Sequence, residues 1–235
     1  TLFLNVLFIA ATTITSVAIA IMLAEISNKW VKKITQSIVI LPHFMSWTIV
    51  SMLSVAILSA NGVVNQLITM VGGKTIEFYN TPSVWPAILV ILKVWQGAGF
   101  GSIVYLATIT GIDASIYEAA AVDGASKTQC IFKVTLPMLK NTIIMLTIMS
   151  VGKIFNGDFG MIYNLVLNNT MLYRTTDVLY PTTDVIDTYL FRQLLENPSM
   201  GQTAAVGLIQ SILGFGFVVL CNKVANKWSP ESALF

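Results

Sequence analysis

Residues able to do chemistry are few in this chain and unevenly placed. The stretch YEAAAVDGASKTQCIFKVTLPMLK, Tyr117–Lys140, carries two acids, Glu118 and Asp123, and three lysines, Lys127, Lys133 and Lys140. Only 10% of the 235 residues are charged, and long apolar runs flank this stretch on both sides. The lone histidine, His43, stands with Trp47 in LPHFMSW, and Lys93 stands beside Trp95 and Gln96 in LVILKVWQGAG. Asn156 and Asp158 follow a further apolar run. One histidine without a second, and cysteines only at 130 and 221, build neither a nucleophilic constellation nor a metal site. Gly97, Gly99 and Gly101 alternate outside any βαβ unit, so they read as close helix packing with Ser102 and not as a dinucleotide fingerprint. No G-x-x-x-x-G-K-[ST] phosphate loop is present. What remains is recognition chemistry: aromatic faces pack on apolar ring faces, amides match hydroxyls, and an ionisable side chain inside a membrane span is a functional candidate by default. Lys93 either lines a substrate path, snorkels, or pairs with an acid of a partner chain. Lys153 near a span end reads as snorkelling, and His43 as a packing residue. Asn156 and Asp158 join His43, Trp47, Lys93, Trp95 and Gln96 as candidate pathway residues.

The elements that position these residues follow from composition. At 55% apolar residues the chain has too little charge to cover a soluble domain of its length, which predicts an integral membrane protein. A net charge of +2 is too small to suggest nucleic-acid binding. Five segments meet the requirement of about 20 mostly apolar residues for a spanning helix: Leu2–Ala24, Ile34–Ser59, Val84–Ile112, Met138–Phe155 and Gly201–Cys221. None alternates at period two, so a β-barrel is excluded and the expected fold is an all-α polytopic bundle over residues 1–235. Pro42 is expected to kink the second span.

Lysine placement sets the orientation. With simple alternation, Lys29, Lys32, Lys33, Lys127, Lys133, Lys140, Lys223 and Lys227 fall on one side, eight of the thirteen basic residues. The positive-inside rule makes that side cytoplasmic. Thr1 then lies outside, inside an apolar run with no Met or basic region before it, so a further N-terminal span is expected, giving six. The outer side holds Ala60–Ser83, with turn signals at NG and GG, and a long connection over 156–200. A connection of that length is functional or structured. Within it, Val185, Ile186, Tyr189, Leu190 and Leu194 recur at helical spacing and predict a short helix.

The charged inner stretch, 113–137, reads as two short helices about a corner. Asp113 can cap the first, and Ser115 with Glu118 also fits a capping box. Gly124 suits the left-handed residue after a helix end. Ser126 and Gln129 fit a second box, and Pro137 disfavours helix at Leu136 while suiting the first turn of the fourth span. Ala119, Ala120 and Ala121 leave the first helix a narrow face that a partner can approach closely. A solvated loop with two caps is the plainer reading of the same residues.

This stretch resembles the EAA loop of binding-protein-dependent ABC importer permeases: Glu118-Ala119-Ala120, then Gly124, then Val134, then Leu136-Pro137, every spacing matching, with Val134 where isoleucine is commoner. Asp123 and Ala125, LPHFMSW, WQGAGFGSIVYLA, DVIDTY and TAAVGL resemble the polysaccharide and oligosaccharide branch. The resemblance implies that Glu118, Ala119, Ala120, Asp123, Gly124, Ala125, Leu136 and Pro137 form a coupling loop inserted into a dimer of cytoplasmic ATP-binding subunits. It implies a second, different permease chain, an extracytoplasmic sugar-binding protein at the outer loop, lipid around the spans, and a multi-pass position in a bacterial inner membrane. This chain is expected to be no enzyme and to bind no cofactor, with ATP and Mg2+ held by the partner ATPase. Alternating access driven by that ATPase is the implied mechanism. A non-sugar solute, or an ATP-independent channel or carrier, are the alternative readings.

Overall fold

A computed structural model of the chain describes residues 1–167, 182–196 and 200–228. The described residues are helical or irregular, with no strand among them. Five stretches are long and apolar enough to cross a membrane: Leu2–Glu25, Trp47–Met70, Pro82–Thr110, Lys127–Val151 and Gly201–Lys227. The helices are α1 (Leu2–Glu25), α2 (Lys29–Ile40), α3 (Trp47–Leu58), α4 (Val63–Met70) and α5 (Trp85–Thr110). They continue with α6 (Ala114–Val122), α7 (Lys127–Cys130), α8 (Leu136–Val151), α9 (Phe159–Ile162), α10 (Ile186–Glu196) and α11 (Met200–Trp228). Many large apolar side chains point outward, Phe215 at 69% exposure among them, as lipid-facing helices require.

The chain divides into two compact units. One comprises Thr1–Asn5, Phe44–Leu92 and Ile154–Ser211. In it Asn65, 1% exposed, donates to the Ser59 and Ile76 carbonyls and accepts from the Ile76 N–H, folding the connection after α3 onto itself. Trp85 is fully buried against Tyr79 and donates its indole N–H to the Phe78 carbonyl. Asn5 donates to the Ile154 and Asn156 carbonyls.

The other unit comprises Val6–His43, Lys93–Lys153 and Ile212–Phe235. Its core is Val17, Ala20 and Leu23 of α1, Tyr105, Leu106 and Ile109 of α5, and Leu139 of α8. Close approach explains two of the three alternating glycines. A Cβ on Gly99 would lie 1.9 Å from the Val39 carbonyl oxygen of α2, and one on Gly101 would lie 2.7 Å from Ser16 Oγ. Gly97 has only an ordinary contact, with Thr12. Buried Ser102 bonds the Gly99 carbonyl, and Ser16 bonds that of Ala98.

Three expectations are corrected. Ile34–Ser59 is not one kinked span. Helix α2 ends at Ile40, Leu41–Phe44 form a 3-10 turn, and Ser46 caps a new helix with its hydroxyl on the Ile49 N–H. Pro42 disfavours α geometry before it, and the Ser46 cap supplies a better restart than a bent continuation. The spanning stretch is instead Trp47–Met70, so the outer connection from Ala60 starts with helix α4. Both turn signals hold, with turn residues at Asn61 and with Gly72 at φ 81°.

The second correction is at Pro137. Leu136 is helical, at φ −64° and ψ −44°, because Ile131–Thr135 widen into a π-turn that joins α7 to α8. A wider turn accommodates the missing N–H and the ring of a proline without ending the helix. The third is the last span, where α11 runs on to Trp228, past Cys221, with Asn222 and Ala225 still buried.

Candidate functional site

The coupling stretch is built by local capping. The Asp113 carboxylate accepts the Ser115 N–H at 2.9 Å and starts α6, so Asp113 takes the cap and the Ser115–Glu118 alternative is not used. The Ser115 N–H, then its hydroxyl, hold the Asp113 carboxyl below the usual aspartate range. At the far end Gly124 is left-handed, φ 77°. Its N–H reaches the Ala121 carbonyl and the Ala125 N–H reaches that of Ala120, the paired bonds of a Schellman stop. The chain then turns into the capping box: Ser126 Oγ accepts from the Gln129 N–H, and Gln129 Oε1 from the Ser126 N–H. One bond from α6 reaches the foot of α8, between the Tyr117 hydroxyl and Thr135 Oγ1 at 3.0 Å.

These caps hold a knob that nothing among the described residues buries. No residue of α6 is buried. Glu118, Ala119, Asp123 and Gly124 are exposed, Ala120 and Ala125 half-buried, and Val122 is 88% exposed. Phe132, in the π-turn, is 65% exposed. Leu136 is half-buried and Pro137 exposed. An alanine-walled helix with an apolar tip and a carboxylate flank is shaped for a complementary cleft.

The pathway candidates fall in both units. In one, Trp47 begins α3 with its ring 3.5 Å from the Cβ position of Gly160, and Asp158 caps α9 through the Met161 N–H. That cap gives Asp158 a structural task. Asn156 is exposed, its carbonyl held by Asn5. The predicted helix in the long connection is present as α10, anchored by Asp187 on the Gly157 N–H and by the Thr1 hydroxyl on the Ile186 N–H. Arg192 forks onto Asp184, and Phe191 packs edge-on to Phe159 and Tyr163. The rest of the long connection, 168–181 and 197–199, lies outside the described residues.

The other unit holds His43, Lys93, Trp95 and Gln96. Helical spacing sets Lys93, Gln96, Gly97 and Phe100 on one stripe of α5. His43, exposed in its 3-10 turn, stacks on Phe100 with ring centroids 4.1 Å apart. Trp95 is 43% exposed. Sequence reasoning missed Phe100, although its position four residues after Gln96 and seven after Lys93 was a readable signal. It also missed a groove of about 400 Å³ between α1, α5 and α8 that Phe100 shares with Lys153 and Ser150. The free cysteines, Cys130 and Cys221, are half-buried, and no metal-holding cluster occurs among the described residues.

The chain is similar to known proteins over most of its length. A Bacillus subtilis (strain 168) polygalacturonan/rhamnogalacturonan transport system permease protein, YteP, is 32% identical over 92% of this chain. Protein LplB of the same organism is 30% identical over 91%. The chain spans 64% of the length of each of these relatives. Among solved structures, a chain of a bacterial alginate ABC transporter in complex with an alginate pentasaccharide-bound periplasmic protein superposes with TM-score 0.88 and 33% identity. That match covers 97% of this chain and 76% of the other. A second structure, of a bacterial ABC transporter importing the acidic polysaccharide alginate, gives TM-score 0.82 at 32% identity, covering 95% and 79%. Residues 16–226 match the model of the binding-protein-dependent transport system inner membrane component. A chain with five membrane-length helices and that match over most of its length belongs to this family of multi-pass inner-membrane transport components.

Proposed function

We propose that this chain is the permease subunit of an ATP-driven sugar importer, forming half of a path for an oligosaccharide or polysaccharide. The observation that carries the coupling role is the uncovered knob at 113–137, with Val122 88% exposed at the end of an alanine-walled helix. It supports insertion of Glu118–Ala125 into a cleft of a cytoplasmic ATPase dimer, with ATP and Mg2+ bound by that partner. The dimer is a two-state element, and a rigid knob on the permease lets its closure bias the spans between outward- and inward-facing states. The Tyr117–Thr135 bond and the unbroken helical path from Lys127 to Val151 support transmission from knob to membrane. The substrates named for the relatives support a glycan as solute, and the periplasmic protein bound to the alginate transporter supports a soluble sugar-binding receptor for this chain. A second permease forms the other half of the path in this reading, and the outer connection around α10 is the receptor's docking surface.

Replacement separates insertion from coupling. Glu118→Lys and Gly124→Asp should each leave membrane insertion and chain abundance intact and abolish sugar uptake by the assembled transporter. Normal uptake in both variants would refute the coupling role.

A further inference from the structure

We infer that helix α2 descends through one leaflet of the membrane and that its outward face seats an anionic phospholipid, with Lys29 and Lys33 on the headgroup. This goes beyond the proposed transport role and does not depend on it. Depth comes from packing within one compact unit. A Cβ on Gly99 would meet the Val39 carbonyl oxygen, so the end of α2 lies against the middle of α5, Trp85–Thr110. Lys32 lines a cavity with Thr110 and Ile112, which puts the first turn of α2 at the Thr110 end of α5. At 1.5 Å per residue, Gly99 is about 16 Å from Thr110, and Val39 is about 15 Å from Lys29. Each distance is close to half of the roughly 30 Å hydrocarbon core. Helix α2 therefore starts at the lysine-rich rim, which the positive-inside rule makes cytoplasmic, and stops near mid-membrane at the Leu41–Phe44 turn.

The outward face then offers both halves of a lipid their match. No residue of α2 is buried. Trp30, Ile34, Ile38 and Leu41 recur every three or four residues as one exposed apolar stripe, Trp30 at 75%. The stripe is about 16 Å long, the depth of one leaflet of acyl chain. A Trp at its cytoplasmic end is where an interfacial indole belongs. Lys29 and Lys33, one turn apart and both exposed, stand beside that indole, and neither forms an ion pair among the described residues. Lys32 turns to the other side, half-buried in the cavity that Glu25 also lines, so it is not part of the site. Two ammonium groups at headgroup depth, above an apolar stripe, match an anion joined to an acyl chain, and no acid stands within residues 29–41 to repel it. A zwitterionic lipid satisfies the stripe and leaves the charge unanswered.

The test uses the assembled transporter in nanodiscs of mixed phosphatidylcholine and phosphatidylglycerol. Each lipid in turn carries a photoreactive group on its acyl chain, and the crosslinked peptides are mapped by mass spectrometry. In the parent, the phosphatidylglycerol probe is expected to label the α2 peptide roughly tenfold more than the phosphatidylcholine probe. Helix α1, with Ile14 exposed and no lysine, should label equally with both and so shows that each variant is still embedded. Lys29→Gln combined with Lys33→Gln should bring α2 to the same parity, and Lys29→Arg combined with Lys33→Arg should keep the preference. Raising the salt on the parent, where folding is not at issue, should shrink the preference too. Equal labelling of α2 by both probes in the parent, a preference indifferent to salt, or one unchanged in the glutamine variant overturns the headgroup site. No labelling of α2 by either probe, while α1 labels, means that a protein partner covers the face, and overturns it as well.

Discussion

At the scale of single residues, backbone contact and capping decide. Gly99 sits where α5 meets α2, and a Cβ there would overlap the Val39 carbonyl oxygen at 1.9 Å. Backbone cannot swing aside as a long side chain can, so Gly99→Ala should destabilise the helical core by about 1–3 kcal/mol. Thermal unfolding in detergent would show it, and an unchanged midpoint would remove the packing argument. Asp113 makes a different prediction. Its carboxyl is held below the usual range by the Ser115 N–H, so its contribution is complete above the unfolded aspartate value and is lost as pH falls through the folded one. Protection of α6 amides from hydrogen exchange should therefore be flat from about pH 5 upward and fall only in stronger acid. A protection step near neutral pH would point to another group.

At the scale of elements, the π-turn joining α7 to α8 is the feature with consequences. It absorbs Pro137 and sets the rotation of everything before it relative to α8. Pro137→Ala removes the ring that the wide turn accommodates. The turn should tighten to α geometry, rotating Lys127–Cys130 by about 100°, one residue's worth. The half-buried Cys130 reports this, and its thiol labelling rate should change while α8 stays in the membrane. An unchanged rate would mean that the turn is held by Thr135 and its bond to Tyr117 instead. Such a turn has no compositional signature, which is why Pro137 read as an interruption. The caps around α6 and α7 were legible because each is made within four residues, as with Ser126 and Gln129. The break at Leu41–Phe44 was half legible: Pro42 announced a disturbance, but the choice between kink and restart depended on the Ser46 cap. The stack of His43 on Phe100 was not readable, since no local pattern pairs residues so far apart in the chain.

At the scale of the whole molecule, charge and hydropathy fixed the class, and the knob fixes the proposed mechanism. Lysine asymmetry and five apolar stretches sufficed for a multi-pass membrane protein; the first and third expected spans match the helices closely, and the fourth and fifth overlap them with shifted ends. The groove between α1, α5 and α8 was less legible, because its lining is a product of three helices meeting and no single segment displays it. The knob is the point where a partner's energy would enter the fold, and no residue of its helix α6 is buried among the described residues. A cysteine placed at Val122 in the assembled transporter, crosslinked to the ATPase subunit across the nucleotide cycle, tests this most directly. The account predicts an efficient crosslink whose yield changes when ATP closes the ATPase dimer. A Val122→Cys thiol that reacts only with aqueous or lipid-borne reagents, in a transporter that still moves sugar, would contradict it.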